Sequence, residues 1–340
     1  MDALFMKRCL ELAKLGLGQV ATNPMVGCVI VHNGVIIGEG YHEGFGGAHA
    51  EVNAINAVGD ASLLPQSILY VNLEPCSHVG KTPACTGKII QSKIGRVVIG
   101  CRDTNKEVSG GGVAILSRHG CEVEFSAMEA ECRDLNRRFF TFHKEKRPYV
   151  ILKWAESSDG YIAPEGGQQK WITGEESKQL VHKWRTEEQA IMVGTNTVLI
   201  DNPELTARLW EGNNPVRVAI DNHGRIPATA KILNSEAATL IYGARKTGSP
   251  SATFVSVNTE GDQLNAILTD LYNREIMSVI VEGGQQLLNS FIVNGIWDEA
   301  RVFTGEINFS NGLKAPQLKM SPVGEKLIGP DRLRLFYNKS

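Results

Sequence analysis

The sequence has no apolar run approaching the roughly 18 residues that a membrane span needs. Its opening stretch, Met1 to Leu17, breaks its apolar positions with Asp2, Lys7, Arg8, Glu11 and Lys14, so it reads as an amphipathic helix and not as a signal peptide. Neither sign of charge dominates. Lys and Arg number 35 against 37 Asp and Glu, and the net charge of -2 gives no electrostatic reason to expect nucleic acid or an anionic membrane as partner. A small-molecule substrate is expected instead. Internal repeats and low-complexity tracts are missing, and so is a disulfide pattern. The seven cysteines are an odd number, and Cys9, Cys28, Cys101, Cys121 and Cys132 lie singly in apolar or helical stretches. This predicts a reduced, cytoplasmic chain in which any cysteine pair serves a metal or catalysis.

What is present divides in two. A chain of 340 residues is about twice the usual domain size, and 42% hydrophobic with 21% charged residues is ordinary α/β composition. Val26 to Val31 and Val35 to Gly40 flank an Asn33-Gly34 turn and read as a hairpin. Next come a helix over His49 to Val58, a strand over Ile68 to Leu73, a helix over Cys85 to Gln91 and a strand over Val97 to Gly100. A helix over Val113 to His119 and a strand over Cys121 to Phe125 follow. The pattern predicts a mixed sheet between helices. A charged helix over Ala127 to Phe142 leads into the polar stretch His143 to Pro148, the predicted boundary between domains 1–145 and 146–340. Beyond it, strands are expected at Tyr149 to Trp154, Ala190 to Val193, Val216 to Ile220, Ala238 to Tyr242, Ser278 to Val281 and Ala300 to Thr304. Helices are expected at Glu175 to Arg185, Leu264 to Tyr272 and Gln285 to Asn294.

The chemistry concentrates at His49-Ala50-Glu51 and at Glu74-Pro75-Cys76, with Cys85 eight residues further on. One imidazole and two thiolates form a three-ligand zinc set whose fourth tetrahedral position is left for water. The expected helix starts favour the thiolate form. Glu51, in the same first turn as His49, is placed to move protons without being a ligand. This is the signature of zinc nucleobase deaminases with a longer spacing in place of Cys-x-x-Cys. In the loop between the cysteines, His78 and Lys81 read either as cationic contacts for a phosphorylated substrate or as a solvated surface. Asn23 and His42, near the ends of the hairpin, read either as turn residues or as substrate contacts.

Together these residues resemble the bifunctional riboflavin-biosynthesis deaminase/reductase family. The matching stretches are Asn23 to Ile30, Gly38 to His42, His49 to Val52, Leu73 to His78, Gly80 to Pro83 and Cys85. In the second half, Leu152-Lys153, Ser158-Asp159-Gly160, Trp171-Ile172-Thr173, Val193-Gly194 with Thr197, Asp201-Asn202-Pro203 with Leu205-Thr206, and Glu282-Gly283-Gly284 match in order. The resemblance implies a cytidine-deaminase-like three-layer α/β/α domain followed by a dihydrofolate-reductase-like α/β domain. The substrate it implies is a phosphorylated diamino-hydroxy-pyrimidine ribosylamine. Its ring 2-amino group would be hydrolysed in the first domain and its ribosyl group reduced to ribityl by NADPH in the second. Zinc ligands carry over to His49, Cys76 and Cys85, the acid/base to Glu51, and substrate contacts to Asn23, His42, His78 and Lys81. Two departures, Pro83-Ala84 for Pro-Pro and Asp103-Thr104-Asn105-Lys106 for Asp-Pro-Asn-Pro, bear on loop rigidity and touch no ligand.

The second half has no full dinucleotide fingerprint, so an ordinary Rossmann domain is disfavoured. Gly283-Gly284 at a strand-to-helix junction is either a tight turn or an approach for a pyrophosphate. By the resemblance, Lys153 and Asp201 are catalytic, and Gln169, Arg185, Leu205, Arg208 and Glu282 bind substrate. Ala155, Trp171, Thr197, Asp201, Gly283, Gly284 and Gly312 bind cofactor. A homo-oligomer is expected. Two rivals remain. One is a single-activity nucleobase or tRNA deaminase with an accessory C-terminal half. The other is a zinc-stabilised binding module, for which a carboxylate such as Glu51 has no use because structural sites close with four ligands.

Overall fold

The computed structural model describes residues 2–77, 84–103, 111–166, 170–243, 252–257 and 261–338. It falls into two compact units, Met1–Lys146 and Arg147–Ser340. His78, Lys81 and Gln169, three of the expected contacts, lie outside the described residues.

In the first unit, α1 (Asp2–Lys14) precedes the hairpin β1 (Gly27–His32) and β2 (Val35–Tyr41), then α2 (Ala50–Asn56), β3 (Ile68–Leu73) and α3 (Cys85–Gln91). β4 (Arg96–Cys101), α4 (Gly111–Arg118), β5 (Glu122–Phe125), α5 (Glu129–Leu135) and α6 (Arg137–Glu145) complete it. The sheet runs β2-β1-β3-β4-β5, antiparallel across the first two pairings and parallel across the last two. Its central strands are buried on both faces, which is why they read as unbroken apolar runs. Cys28, Ile30, Leu69, Val71, Val97 and Ile99 pack with α2 and α3 residues such as Ala54 and Ile89. Val29, Val31, Tyr70 and Val98 face the other way, onto Phe5, Met6 and Cys9 of α1 and Cys132 of α5. The expected helix over 127–142 is two helices. Asn136 breaks it, because its side chain accepts from the Met25 N–H at 2.8 Å and donates to the Met25 carbonyl at 2.9 Å, tying the break to the segment that enters β1.

The second unit is built on β6 (Tyr149–Glu156), β8 (Ala190–Gly194), β9 (Val216–Asp221), β10 (Thr239–Gly243), β11 (Ala252–Val255), β12 (Ser278–Val281), β13 (Glu299–Thr304), β15 (Gly324–Ile328) and β16 (Asp331–Tyr337). A short pair, β7 (Tyr161–Pro164) with β14 (Gly312–Lys314), stands apart. The helices are α7 (Glu175–Glu187), α8 (Thr195–Asp201), α9 (Gln263–Asn273) and α10 (Gln285–Asn294). Strand order is β11-β10-β9-β8-β12-β6-β13-β16-β15, parallel from β11 to β13 and antiparallel at the last two. The sequence reading stops at Thr304 and misses β15 and β16, whose charged residues alternate along an edge hairpin. It also misses α8, only seven residues long. Among the described residues no helix is long and apolar enough to cross a membrane.

Candidate functional sites

His49 is the N-cap residue of α2, with extended backbone and no capping hydrogen bond from its side chain. Cys76 lies past the end of β3, and Cys85 is the first residue of α3. The His49 Nδ1 is 3.2 Å from the Cys85 Sγ and 3.6 Å from the Cys76 Sγ, and all three donors lie within 4.8 Å of one another. A tetrahedral ion with bonds of about 2.1 Å to nitrogen and 2.3 Å to sulfur separates its donors by roughly 3.5 Å, so the set fits zinc. The Cys85 thiol and backbone N–H both donate toward Cys76. With His49 beside it, the Cys76 thiol is held down at about 4, while the same pairing and burial push Cys85 up.

Close packing places this set. A Cβ on Gly40 of β2 would come within 2.4 Å of the Ala54 N and 2.7 Å of the Ala50 carbonyl oxygen, so the bare glycine lets α2 lie directly on the strand. Glu51, one residue into α2, is 3% exposed. Burial and the neighbouring Cys76 raise its carboxyl above the usual range. The His42 Nδ1 lies 3.0 Å from the Ala48 carbonyl, and since a carbonyl only accepts, the ring proton sits there. Nε2 therefore accepts from the Asn23 amide at 3.0 Å. Burial holds this imidazole neutral, and its ring meets that of His49 edge-on at 5.4 Å. Asn23 and His42 thus form one bonded pair beside His49.

In the second unit a cavity of 380 Å³ opens beside the C-terminal halves of β6, β8 and β12, the usual ligand position of an open parallel sheet. It brings together Lys153, Trp171, Arg185, Thr197, Asp201, Leu205, Arg208 and Glu282 of the expected residues. Ala155, Gly283, Gly284 and Gly312 do not line it. Arg185 grips Glu282 through Nε at 3.3 Å and Nη2 at 2.9 Å, and its Nη1 donates to the Thr206 carbonyl at 3.0 Å. Burial would raise Glu282, but Arg185 and Lys153 outweigh it and hold the carboxyl at about 2. Lys153 is lowered by burial, with Glu282 acting against the shift. Asp201 is raised by burial and forms no ion pair with a described residue.

The Thr197 hydroxyl accepts the Gly284 N–H at 2.9 Å. Gly283 is a close approach, since a Cβ there would meet the Gly194 N at 3.0 Å. Segment 202–205 is secured from below by the fully buried Arg217, which reaches the Glu204 carbonyl and Asn234. Sequence reasoning missed Lys178 and His182, which line the same cavity. With Arg185 they are spaced i, i+4, i+7, one face of a helix, and that spacing was the available signal.

Comparison with known proteins sorts the two units. Residues 1–101 match the family model for the cytidine and deoxycytidylate deaminase zinc-binding region, and residues 148–307 match that for the RibD C-terminal domain. The class is a zinc-binding deaminase module joined in one chain to a reductase module. The riboflavin biosynthesis protein RibD of Aquifex aeolicus is 40% identical over 332 residues, covering 96% of this chain and 93% of that protein. That of Escherichia coli strain K12 is 33% identical, covering 97% of each. The chain belongs to the RibD family of riboflavin-biosynthesis proteins, and it is a bifunctional enzyme, hydrolase and oxidoreductase. A Thermotoga maritima structure described as a diaminohydroxyphosphoribosylaminopyrimidine deaminase/5-amino-6-(5-phosphoribosylamino)uracil reductase superposes with a TM-score of 0.92 at 38% identity, covering 99% and 98% of the two chains. Acinetobacter baumannii RibD gives 0.90 at 32% identity, covering 100% and 99%. The match over residues 148–307 removes the reading of the C-terminal half as an accessory to a lone nucleobase or tRNA deaminase.

Proposed function

We propose that this chain deaminates the diaminohydroxy-phosphoribosylaminopyrimidine formed by opening GTP and then reduces the ribosyl group of the resulting uracil to ribityl. The observation that carries the reading is the approach of His49, Cys76 and Cys85 within 4.8 Å beside the buried Glu51. We assign the first activity to residues 1–145 and the second to 146–340.

In the first site His49, Cys76 and Cys85 would hold zinc, which when bound acidifies water for attack on the ring carbon. Glu51 takes a proton from the attacking water, gives it to the ring nitrogen, and then passes a proton to the amine that leaves as ammonia. A carboxyl raised by burial suits a group that must both hold and release that proton near neutral pH. Asn23, oriented by His42, contacts the pyrimidine. His78 and Lys81 are assigned to the phosphate.

In the second site NADPH supplies the hydride. Glu282, locked as a carboxylate by Arg185 and Lys153, accepts hydrogen bonds from the sugar hydroxyls. Lys153 and Asp201 flank the reacting carbon. When bound, the cofactor would supply this hydride to the anomeric carbon, and the ring oxygen released from that carbon would need a proton. Asp201, raised by burial, is the group suited to hold the proton until then. Arg185, Leu205, Arg208 and Gln169 position the substrate. Trp171 and Thr197, which line the cavity, and Ala155, Gly283, Gly284 and Gly312, which lie outside its lining, would hold the cofactor. A reducing cytoplasm suits the two ligand thiols. A homo-oligomer belongs to the same proposal, supported among the described residues by the edge strand β15, which leaves Leu327 74% exposed; sedimentation of the full chain checks it.

The test supplies the ring-opened GTP product with and without NADPH and identifies the products by mass. The deaminated uracil without NADPH and the ribityl compound with it are expected. Unchanged substrate in both arms would overturn the assignment.

A further inference from the structure

Arg185, assigned above to the substrate, is largely occupied, because three of its nitrogens already hold Glu282 and the Thr206 carbonyl. Arg208 is half-exposed and shares its charge with Glu204 at 3.5 Å. Lys178 lies over the Trp171 ring at 4.5 Å. His182 shares the cavity with all three and is 3% exposed. The Leu209 N–H donates to its Nδ1 at 3.4 Å, which leaves the ring proton on Nε2. No described residue accepts from Nε2. Burial, with Arg185 and Arg208 close by, holds the imidazole at about 4, so at neutral pH the ring keeps its single proton. The Nε2–H of this largely buried ring is open to the cavity; Lys178 and Arg185 on its helix offer only donors, and the carboxylate that acts on the ring, Glu282, is already held by Arg185. Five lysines and arginines face three carboxylates across the cavity, so the acceptor that suits this N–H is an anion.

We propose that His182 is a further ligand of the substrate's phosphate in the reductase site, donating its Nε2–H to one oxygen while Arg208 and the remaining N–H groups of Arg185 take the others. It makes the site discriminate a phosphorylated sugar from its dephosphorylated form. The proposal rests on the reductase reading above. A neutral donor adds direction to the site without a further buried charge, whose desolvation would be costly.

The test follows NADPH oxidation by the full chain with the deaminated phosphorylated substrate and with its dephosphorylated analogue. His182→Leu keeps bulk and removes both ring nitrogens. It should raise KM for the phosphorylated substrate roughly ten- to a hundredfold, the size of a lost hydrogen bond to a charged group, and leave that for the analogue within about twofold. His182→Gln restores an N–H and should recover most of the loss. Equal losses on both substrates, or a fall in kcat with the KM ratio unchanged, overturn the proposal. A second measurement uses the wild-type chain. Diethylpyrocarbonate should modify His182, read on its peptide by mass spectrometry, and saturating inorganic phosphate should protect it. A ring that is never modified, or is modified equally with phosphate present, also overturns the proposal. A wild-type chain that oxidises no NADPH with either substrate removes the reductase reading itself.

Discussion

His49 occupies the N-cap of α2 without turning its side chain back to cap the helix, as Ser, Thr, Asp or Asn would. The imidazole is thereby left to face the two sulfurs. Glu51, buried beside them, is the group whose loss should separate binding from chemistry. Glu51→Gln should keep its zinc, read by metal analysis, and lose ammonia release by roughly a hundred- to ten-thousandfold, the usual worth of a general acid/base. Near-normal turnover would remove Glu51 from the mechanism. Cys76→Ala should lose zinc and thermal stability together, since metal affinity in such a site is also folding free energy. Full zinc occupancy in that variant would show that Cys76 is not a ligand. His182 gives a pH signature. Its folded value of about 4 lies below its ordinary 6.5, so between those values the unfolded chain binds more protons than the folded one. Stability should therefore rise with pH across that window, by on the order of 2 kcal/mol, and be lost toward acid. All five tryptophans lie beyond Pro148, so urea unfolding followed by their fluorescence reports this unit. His182→Gln should flatten its midpoint over that range, and an unchanged slope would assign the effect elsewhere.

At the scale of elements, the deaminase site depends on how tightly α2 lies on β2. Gly40→Ala would set a methyl group 2.4 Å from the Ala54 N, and backbone cannot give way as a flexible side chain can. The helix should lift, taking His49 and Glu51 with it. We expect a loss of about 1–3 kcal/mol, as for other overpacked contacts, together with weakened zinc binding and reduced ammonia release. Wild-type zinc affinity in Gly40→Ala would show that the strand does not set the ligand's position. The break between α5 and α6 follows the same logic. Helical periodicity continues across it, and a long-range bond from Asn136 to Met25 overrides local preference.

At the scale of the molecule, the two units meet the chain at a well-marked joint. α6 ends at Glu145, Lys146 takes the left-handed conformation at φ 56°, and Arg147 is already gripped by Asp298 at 2.6 and 2.9 Å. A cut after residue 145 leaves that ion pair intact. Each half has enough residues to bury roughly 68 to 75% of its unfolded surface. Expressed separately, 1–145 should release ammonia from the ring-opened GTP product, and 146–340 should oxidise NADPH with the deaminated substrate. Halves that fold while the second shows no oxidation would overturn the reductase assignment. Halves that fail to fold would overturn the boundary.

The sequence by itself singled out His49, Cys76 and Cys85 as candidate zinc donors, the carboxylate of Glu51 near them, and most of the strands and helices that carry them. Those signals are local: a helix start, a strand end, an unbroken apolar run buried on both faces of a sheet. It also placed Lys153, Asp201 and Glu282 in one site through the ordered motifs of the second half. Only the tertiary structure decided how those groups are used. Arg185 is turned onto Glu282 and Thr206, His42 is bound into Asn23 and Ala48, and His182 is closed in among cations. Each of these depends on partners between 3 and 97 residues away in the chain. A side chain's charge and hydrogen bonds are set by the groups that folding brings against it, and spacing along the sequence carries little record of those groups.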